Sequence, residues 1–177
     1  MTNRTCVHID SDDCLEKLAQ SIKEQIRSID KAYDEICVAC IGTDKVIGDC
    51  LGPLVGNRLA DVNGIKVRGK LKETLQATNL RKYIDSLSPE QLVIAVDACL
   101  GETEHIGHII VECESIRPGS GVDKKIPAIG DISIKGIVGT YRGDHMDNLL
   151  QLYDVKLSFV MKMADAIASG LQVALST

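Results

Sequence analysis

Residues 35–53 read EICVACIGTDKVIGDCLGP, an almost continuous apolar run followed by a loop that contains three glycines. Apolar runs of this kind are typical of a strand buried on both faces, as in a parallel sheet. We predict the strand over Glu35–Ile41 and a helix after the loop, with Pro53 in its first turn. Strand, loop and helix in this order are the repeating unit of an α/β domain.

The same alternation continues along the chain and predicts a single domain over residues 1–177 with a doubly wound sheet. A second buried strand is predicted at Gln91–Val96, closing at Asp97-Ala98-Cys99-Leu100-Gly101. His108–Ser115 alternates polar and apolar residues and is expected nearer a sheet edge. The other predicted strands are Arg4–Ile9, Ile65–Leu71 and Ile132–Val138. A helix after the first of these strands is expected to be capped by Asp10 or Ser11, with Leu15, Leu18, Ile22 and Ile26 on its apolar face. Two further helices are predicted at Thr78–Leu87 and Leu157–Leu175. The aperiodic connection Arg117–Gly130 is expected to be mobile or functional.

Composition and charge exclude several classes of function. The chain has no Trp and only one Phe, and its net charge is −5 with no basic cluster, so direct binding of nucleic acid is not expected. The polar start Met1–Asp12 predicts no signal peptide, and no apolar run is long enough to span a bilayer. Seven cysteines, several of them inside apolar runs, are typical of buried thiols in a cytosolic protein. We therefore expect a cytoplasmic protein with no membrane partner.

Two aspartates mark the expected working site. Asp49 begins the helix after the first buried strand, and Asp97 follows the second. Ligands of open α/β sheets bind beyond the carboxyl ends of the strands, so neighbouring strands would place both carboxyl groups in one mouth. Close carboxylates in a partly dry site share a proton, which lets one activate water while the other polarises a carbonyl. Alternatively, Asp49 is a helix N-cap and Asp97 caps a turn. Glycines at 42, 48, 52 and 101 would let a substrate backbone approach.

Other chemistries have weaker support. The loop glycines do not match a phosphate-binding motif, and Asp44 and Asp49 would repel an anion. Cys50 or Cys99 as a nucleophile would need a histidine partner, which no spacing provides. Cys37 and Cys40 would face opposite sides of a strand and could not share a metal. His105-x-x-His108 is a weak metal-binding motif, and His145 is expected at the start of a short helix.

The motifs also resemble a known family, the YyaC-type sporulation proteins. The blocks that carry the resemblance are Ile41–Asp44, Gly48–Gly56 and Asp97–Gly101, with further matches at Arg117–Gly119, Gly130–Asp131, Gly136–Val138 and Met163–Ala164. That family is similar to the germination protease of small acid-soluble spore proteins and, more distantly, to the maturation endopeptidases of nickel hydrogenases. The resemblance implies a three-layer α/β/α sandwich with a mainly parallel central sheet, of the phosphorylase/hydrolase-like, hydrogenase maturation protease-like type.

The resemblance also implies a function and a set of site residues. It implies a sporulation-related endopeptidase of the paired-aspartate type, working inside the sporulating cell or spore on a protein such as the small acid-soluble spore proteins. The implied residues are Asp49 and Asp97 as the catalytic pair and Gly42, Thr43, Asp44 and Gly48 as substrate-binding residues. No cofactor is expected, although a metal bridging Asp49 and Asp97 is conceivable. The alternative is a non-catalytic sporulation factor that binds a peptide or protein in the same crevice. The oligomeric state stays open, a homo-oligomer included.

Overall fold

The computed structural model describes residues 4–118 and 126–176, which include six strands and five α-helices. In chain order these are β1 (Thr5–His8), α1 (Cys14–Ser28), β2 (Glu35–Cys40), α2 (Leu51–Arg58), β3 (Lys66–Arg68), α3 (Leu80–Ile84), β4 (Gln91–Gly101), β5 (His108–Glu112), β6 (Ile132–Thr140), α4 (His145–Tyr153) and α5 (Leu157–Leu175). Single turns of 3₁₀ helix lie at Gly48–Cys50 and Thr103–His105. Residues 119–125, within the predicted 117–130 connection, lie outside the described residues.

The six strands form one mixed sheet in the order β1-β5-β6-β4-β2-β3. Strands β6, β4, β2 and β3 pair in parallel, whereas β5 is antiparallel to both of its neighbours, β1 and β6. The α/β class is therefore confirmed. The apolar runs of β2 and β4 are adjacent because each is buried on both faces, which only central positions in the sheet allow.

Apolar side chains are buried on both faces of the sheet. Alternate residues of β2 and β4, such as Val38 and Ile94, join the core beneath α1, α2 and α5. The intervening residues, such as Ala39 and Val93, join a smaller core with Leu80 of α3. The sheet thus holds helices against each of its faces.

Several boundaries differ from the predictions for identifiable reasons. Strand β4 continues to Gly101 instead of ending at Val96, because β6 pairs with it over the additional residues. Strand β5 lies second from the edge of the sheet, in agreement with its predicted place nearer an edge, but it ends at Glu112, whose buried side chain pairs with Lys135 of β6 and with Arg4. Helix α1 begins at Cys14, so neither Asp10 nor Ser11 caps it, and Leu15 is 45% exposed instead of buried.

Candidate active site

The carboxyl end of β2 places Asp97 at the mouth of the sheet. Cys40, the last residue of β2, lies opposite Val96 of β4, and the next residue, Ile41, donates its N–H to the Val96 carbonyl at 2.8 Å. Beyond that point β2 no longer pairs with β4, whereas β6 continues to pair with it on the other side. Asp97 therefore lies within a strand, not at its tip, but at the level where the neighbouring strand stops.

The loop after β2 is folded back onto Asp49. Gly42 has φ of +139°, in the region that favours glycine, and a Cβ there would lie 2.0 Å from the Asp49 carbonyl oxygen. The Thr43 N–H donates to the same carbonyl at 3.1 Å. These two contacts close the loop and fix Asp49 in the 3₁₀ turn that leads into α2.

Asp49 is half-buried, and its surroundings favour the neutral carboxyl. Burial raises the pKa of the Asp49 carboxyl to about 6, and the backbone N–H of Thr43 opposes the shift only in part. The alternative role as an N-cap is not realised, since α2 has no side-chain hydrogen bond at its cap and the capping position is Cys50. The Asp49 carboxyl group therefore does not cap α2.

Asp97 is more deeply buried, with 9% of its surface exposed. Its carboxylate accepts one hydrogen bond, from the N–H of Ala98 at 2.9 Å. Burial, and after it the negative charge of Asp49, raises the pKa of Asp97 well above its usual range. The two carboxyl groups thus lie near enough to interact, in surroundings that penalise ionising both.

A lysine lies beside Asp97 without neutralising it. Lys135 of β6 is the residue directly opposite Asp97 in the parallel pairing. Its ammonium group is paired with Glu112 of β5, on the far side of β6, and is not among the charges that shift the pKa of Asp97. Lys135 therefore does not lower the pKa of Asp97, because its ammonium group forms an ion pair with Glu112.

The two thiols near the carboxyl groups are poor nucleophiles. Burial, then the charges of Asp44 and Asp49, raises the pKa of Cys50. Burial and the neighbouring Asp97 raise the pKa of Cys99 to about 11. A reactive cysteine needs a lowered pKa, so this geometry disfavours the thiol alternative.

The remaining predicted metal motifs do not converge on the carboxyl pair. Cys37 and Cys40 face opposite cores, as predicted from strand geometry. His108 contacts His8 and His105, with ring centroids 4.9 and 5.7 Å apart, on β5 and its neighbours rather than on β4. Over residues 4–118 and 126–176, no group of three His, Cys, Asp or Glu side chains is placed to hold a metal ion.

Helix α4 forms a wall of the site that the motifs did not identify. A Cβ on Gly48 would lie 2.9 Å from a methyl group of Leu152, so α4 contacts the turn that carries Asp49. His145 is the first residue of this helix, as expected, but Asp144 caps it by accepting from the N–H groups of Met146 and Asp147. The only sequence signal for this wall is the Asp144 cap before an amphipathic stretch.

The predicted substrate-binding residues surround the pair but differ in access. Gly42 and Gly48 are buried against the chain's own backbone and Leu152, so part of the space their missing side chains leave is already filled. Thr43 is half-buried, and Asp44 is exposed at the outer side of the loop. Their contacts with a substrate stay a prediction.

Comparison with known proteins gives the family of the chain. Residues 6–170 match the family described as "Protein of unknown function (DUF1256)". The chain is also 38% identical over 143 residues to "Uncharacterized protein YyaC" of Bacillus subtilis (strain 168), an alignment that covers 78% of this chain and 68% of that protein. In the part of the chain that the structure describes, no helix is long and apolar enough to cross a membrane. The chain therefore belongs to the DUF1256 family.

Proposed function

We propose that this member of the DUF1256 family is an endopeptidase that hydrolyses a protein substrate with a pair of aspartates. The observation that carries the proposal is that Asp49 and Asp97 are two poorly solvated carboxyl groups with raised pKa values, and that the charge of Asp49 acts on Asp97 beside the end of β2. Structural aspartates in such positions are normally satisfied by caps or ion pairs. Strongly perturbed pairs of this kind mark functional sites.

The two environments favour different roles in the reaction. Asp49, with a pKa of about 6, is mostly ionised at neutral pH and would take a proton from the attacking water. Asp97 keeps its proton to a higher pH and would donate it to the carbonyl oxygen of the scissile bond. The resulting tetrahedral intermediate collapses when the proton held by Asp49 passes to the leaving amine. The C–N bond then breaks and the amine departs. Asp97 takes its proton back from the hydroxyl group formed on the carbonyl oxygen, which leaves a carboxylic acid product and both aspartates as at the start.

We propose a phosphorylase/hydrolase-like sandwich with a mainly parallel sheet, similar to the germination protease. A cytoplasmic spore protein, such as a small acid-soluble spore protein, is then the proposed substrate. A metal bridging the two aspartates would be an alternative way to activate the water. Thr43, Asp44 and the backbone of Gly42 and Gly48 would line the substrate cleft.

The test compares single substitutions of the pair with a matched aspartate elsewhere. Purified protein is incubated with small acid-soluble spore proteins, and fragments are identified by mass spectrometry. We expect Asp49→Asn and Asp97→Asn each to reduce cleavage by about 100-fold or more, the usual weight of an acid or base in catalysis. Asp61→Asn, an exposed aspartate beyond α2, should leave cleavage unchanged. Undiminished cleavage by both site variants would overturn the mechanism.

The pH profile separates the two roles. Because Asp49 must be ionised, kcat/KM is expected to rise as the pH passes about 6. It should fall at higher pH when Asp97 loses its proton. An absence of turnover at any pH, together with binding that survives both Asp→Asn substitutions, would favour the non-catalytic peptide-binding alternative.

A further inference from the structure

Helix α4 presents an apolar stripe to solvent beside the candidate active site. Met146, Leu150 and Tyr153 are 60%, 55% and 49% exposed, and none of the nine residues of the helix is buried. Their spacing of four and three residues places them on one face. Large apolar side chains grouped on one exposed helix face are unusual in a monomer and typical of an interaction surface.

The opposite face of α4 fixes the position of the stripe. Leu152 contacts Gly48 in the turn that carries Asp49, and Gln151 lies against Gly139 at the end of β6. The stripe therefore points away from the molecule while the helix itself borders the carboxyl pair. A protein bound to the stripe would lie next to the mouth of the sheet.

One edge of the stripe is acidic. Asp147 and Asp154 each follow a stripe residue directly, and their separation of seven residues aligns them along the same side. The carboxylate of Asp144 caps the start of the helix, and α4 itself contains no Lys or Arg, although the exposed Arg142 and Lys156 flank it. Along this edge, Asp147 and Asp154 favour a partner that brings apolar side chains together with positive charge.

We infer that α4 is a docking surface for a cationic amphipathic helical segment of the protein on which the site acts. Helix on helix is the packing mode that an exposed stripe of two to three turns supports. The identity of the partner as substrate depends on the proposed function, whereas the binding itself does not. A second copy of this chain is less well matched, because an antiparallel symmetric pairing of two α4 helices would set their acidic edges side by side.

Binding can be measured without any turnover. The probe is a fluorescein-labelled peptide of about four helical turns, built from Leu and Lys at helical spacing. Two companions keep its length: one has Glu in place of Lys, and one has the same composition in scrambled order. We expect fluorescence anisotropy to show saturable binding of the first peptide to the full chain and at least about fivefold weaker binding of the others.

Substitutions then locate the binding. We expect Leu150→Gln to weaken the affinity about fivefold or more, the effect of truncating a central contact. The double variant Asp147→Lys/Asp154→Lys should reverse the preference toward the Glu peptide. Leu15→Gln on α1 and Val173→Gln on α5 replace equally exposed apolar residues and should change nothing. Equal losses in these controls, or an unchanged affinity in Leu150→Gln, would overturn the assignment, as would a dimer that Leu150→Gln dissociates.

Different experimental results would refute the proposed peptidase activity and the proposed docking surface. If α4 docks the substrate, Leu150→Gln should raise KM for the spore proteins about fivefold while kcat keeps its value. Intact peptide binding without any cleavage would remove the proposed function and leave the docking surface in place. Cleavage with an unaltered KM in Leu150→Gln would remove the docking surface and leave the peptidase.

Discussion

Asp97 is a residue whose burial opposes the stability of the protein. A neutral amide of nearly the same shape would avoid the cost of ionising a carboxyl group in this position. Buried polar groups without full compensation are most often retained where function needs them. At the scale of the residue, the strongest argument for a site is thus an energetic penalty rather than a motif.

Replacing Asp97 should therefore stabilise the protein while it abolishes function. We expect Asp97→Asn to raise the free energy of unfolding at pH 8, measured by urea denaturation, by about 1 kcal/mol or more. The gain should vanish below about pH 3, where Asp97 is protonated in both the folded and the unfolded state. Destabilisation of Asp97→Asn at pH 8 would contradict the raised pKa assigned to this residue.

Gly42 should tolerate no side chain. Gly42→Ala brings a Cβ to within 2.0 Å of the Asp49 carbonyl oxygen at a φ of +139°. We expect a loss of about 2–4 kcal/mol in unfolding free energy, since both backbone strain and a clash are introduced.

Gly64→Ala is the control for this substitution. Gly64 also has positive φ, at +82°, but its Cβ would meet nothing within 4 Å. The cost there should be limited to the backbone penalty of about 1 kcal/mol. Equal losses from the two substitutions would show that the contact between Gly42 and Asp49 contributes nothing to stability.

At the scale of elements, α4 and α5 follow each other in the chain but differ in how they are held. Helix α5 runs through the larger core with most of one face buried, whereas α4 has no buried residue. Contacts of α4 concentrate on β6 and on the turn at Asp49. Elements with few buried apolar contacts open at low free energy, and functional walls are commonly drawn from them.

Hydrogen exchange should reveal this difference directly. We expect amides in the middle of α4 to exchange at least about tenfold faster than those of the central turns of α5, because opening α4 exposes little apolar surface. Mass spectrometry of peptides from native protein after deuterium labelling provides the measurement. Protection of α4 equal to that of α5 would mean that contacts beyond Leu152 and Gln151 hold the helix.

At the scale of the whole molecule, the carboxyl pair sets the direction of the pH dependence of stability. Between about pH 4 and pH 6 the unfolded chain has lost the proton of Asp49, whereas the folded protein keeps it. The folded state binds more protons in this window, so the free energy of unfolding falls as the pH rises. Asp97 extends the fall to higher pH, since its pKa is raised further.

We expect the unfolding free energy to decrease by about 2 kcal/mol from pH 4 to pH 7 through Asp49, with Asp97 adding to the loss. The lowered pKa values of Asp10 and Glu35 oppose this trend only at the acidic end of the range, because their contribution is complete above about pH 5 and is lost as the pH falls further. Urea titrations at a series of pH values are the measurement. If the unfolding free energy of a double Asp49→Asn/Asp97→Asn variant changed with pH as steeply as that of the unsubstituted protein, the two aspartates would not be its cause.

The positions of the two aspartates could be predicted from sequence because apolar strands and their ends are local patterns. The run 35–41 predicted β2 to within one residue, and β2 and β4 are neighbours as expected, although the end of β2 lies beside Val96, within β4. The sequence patterns gave wrong predictions of burial where the environment of a side chain depends on residues distant in the chain. Glu112 reads as an exposed edge residue, yet it is buried since Lys135 and Arg4 supply its charge partners.

By itself the sequence determined the α/β alternation, the separation of Cys37 and Cys40 onto opposite faces, and the two apolar strands that Asp49 and Asp97 follow. These features could be predicted because they depend only on hydrophobic periodicity and glycine placement, which act over a few neighbouring residues. The tertiary structure decided the mixed strand order, the depth at which Asp97 is buried and the contact of α4 with the turn at Asp49. Burial and proximity arise from segments far apart in the chain, so the pKa values that make the aspartates a pair exist only once the sheet has assembled.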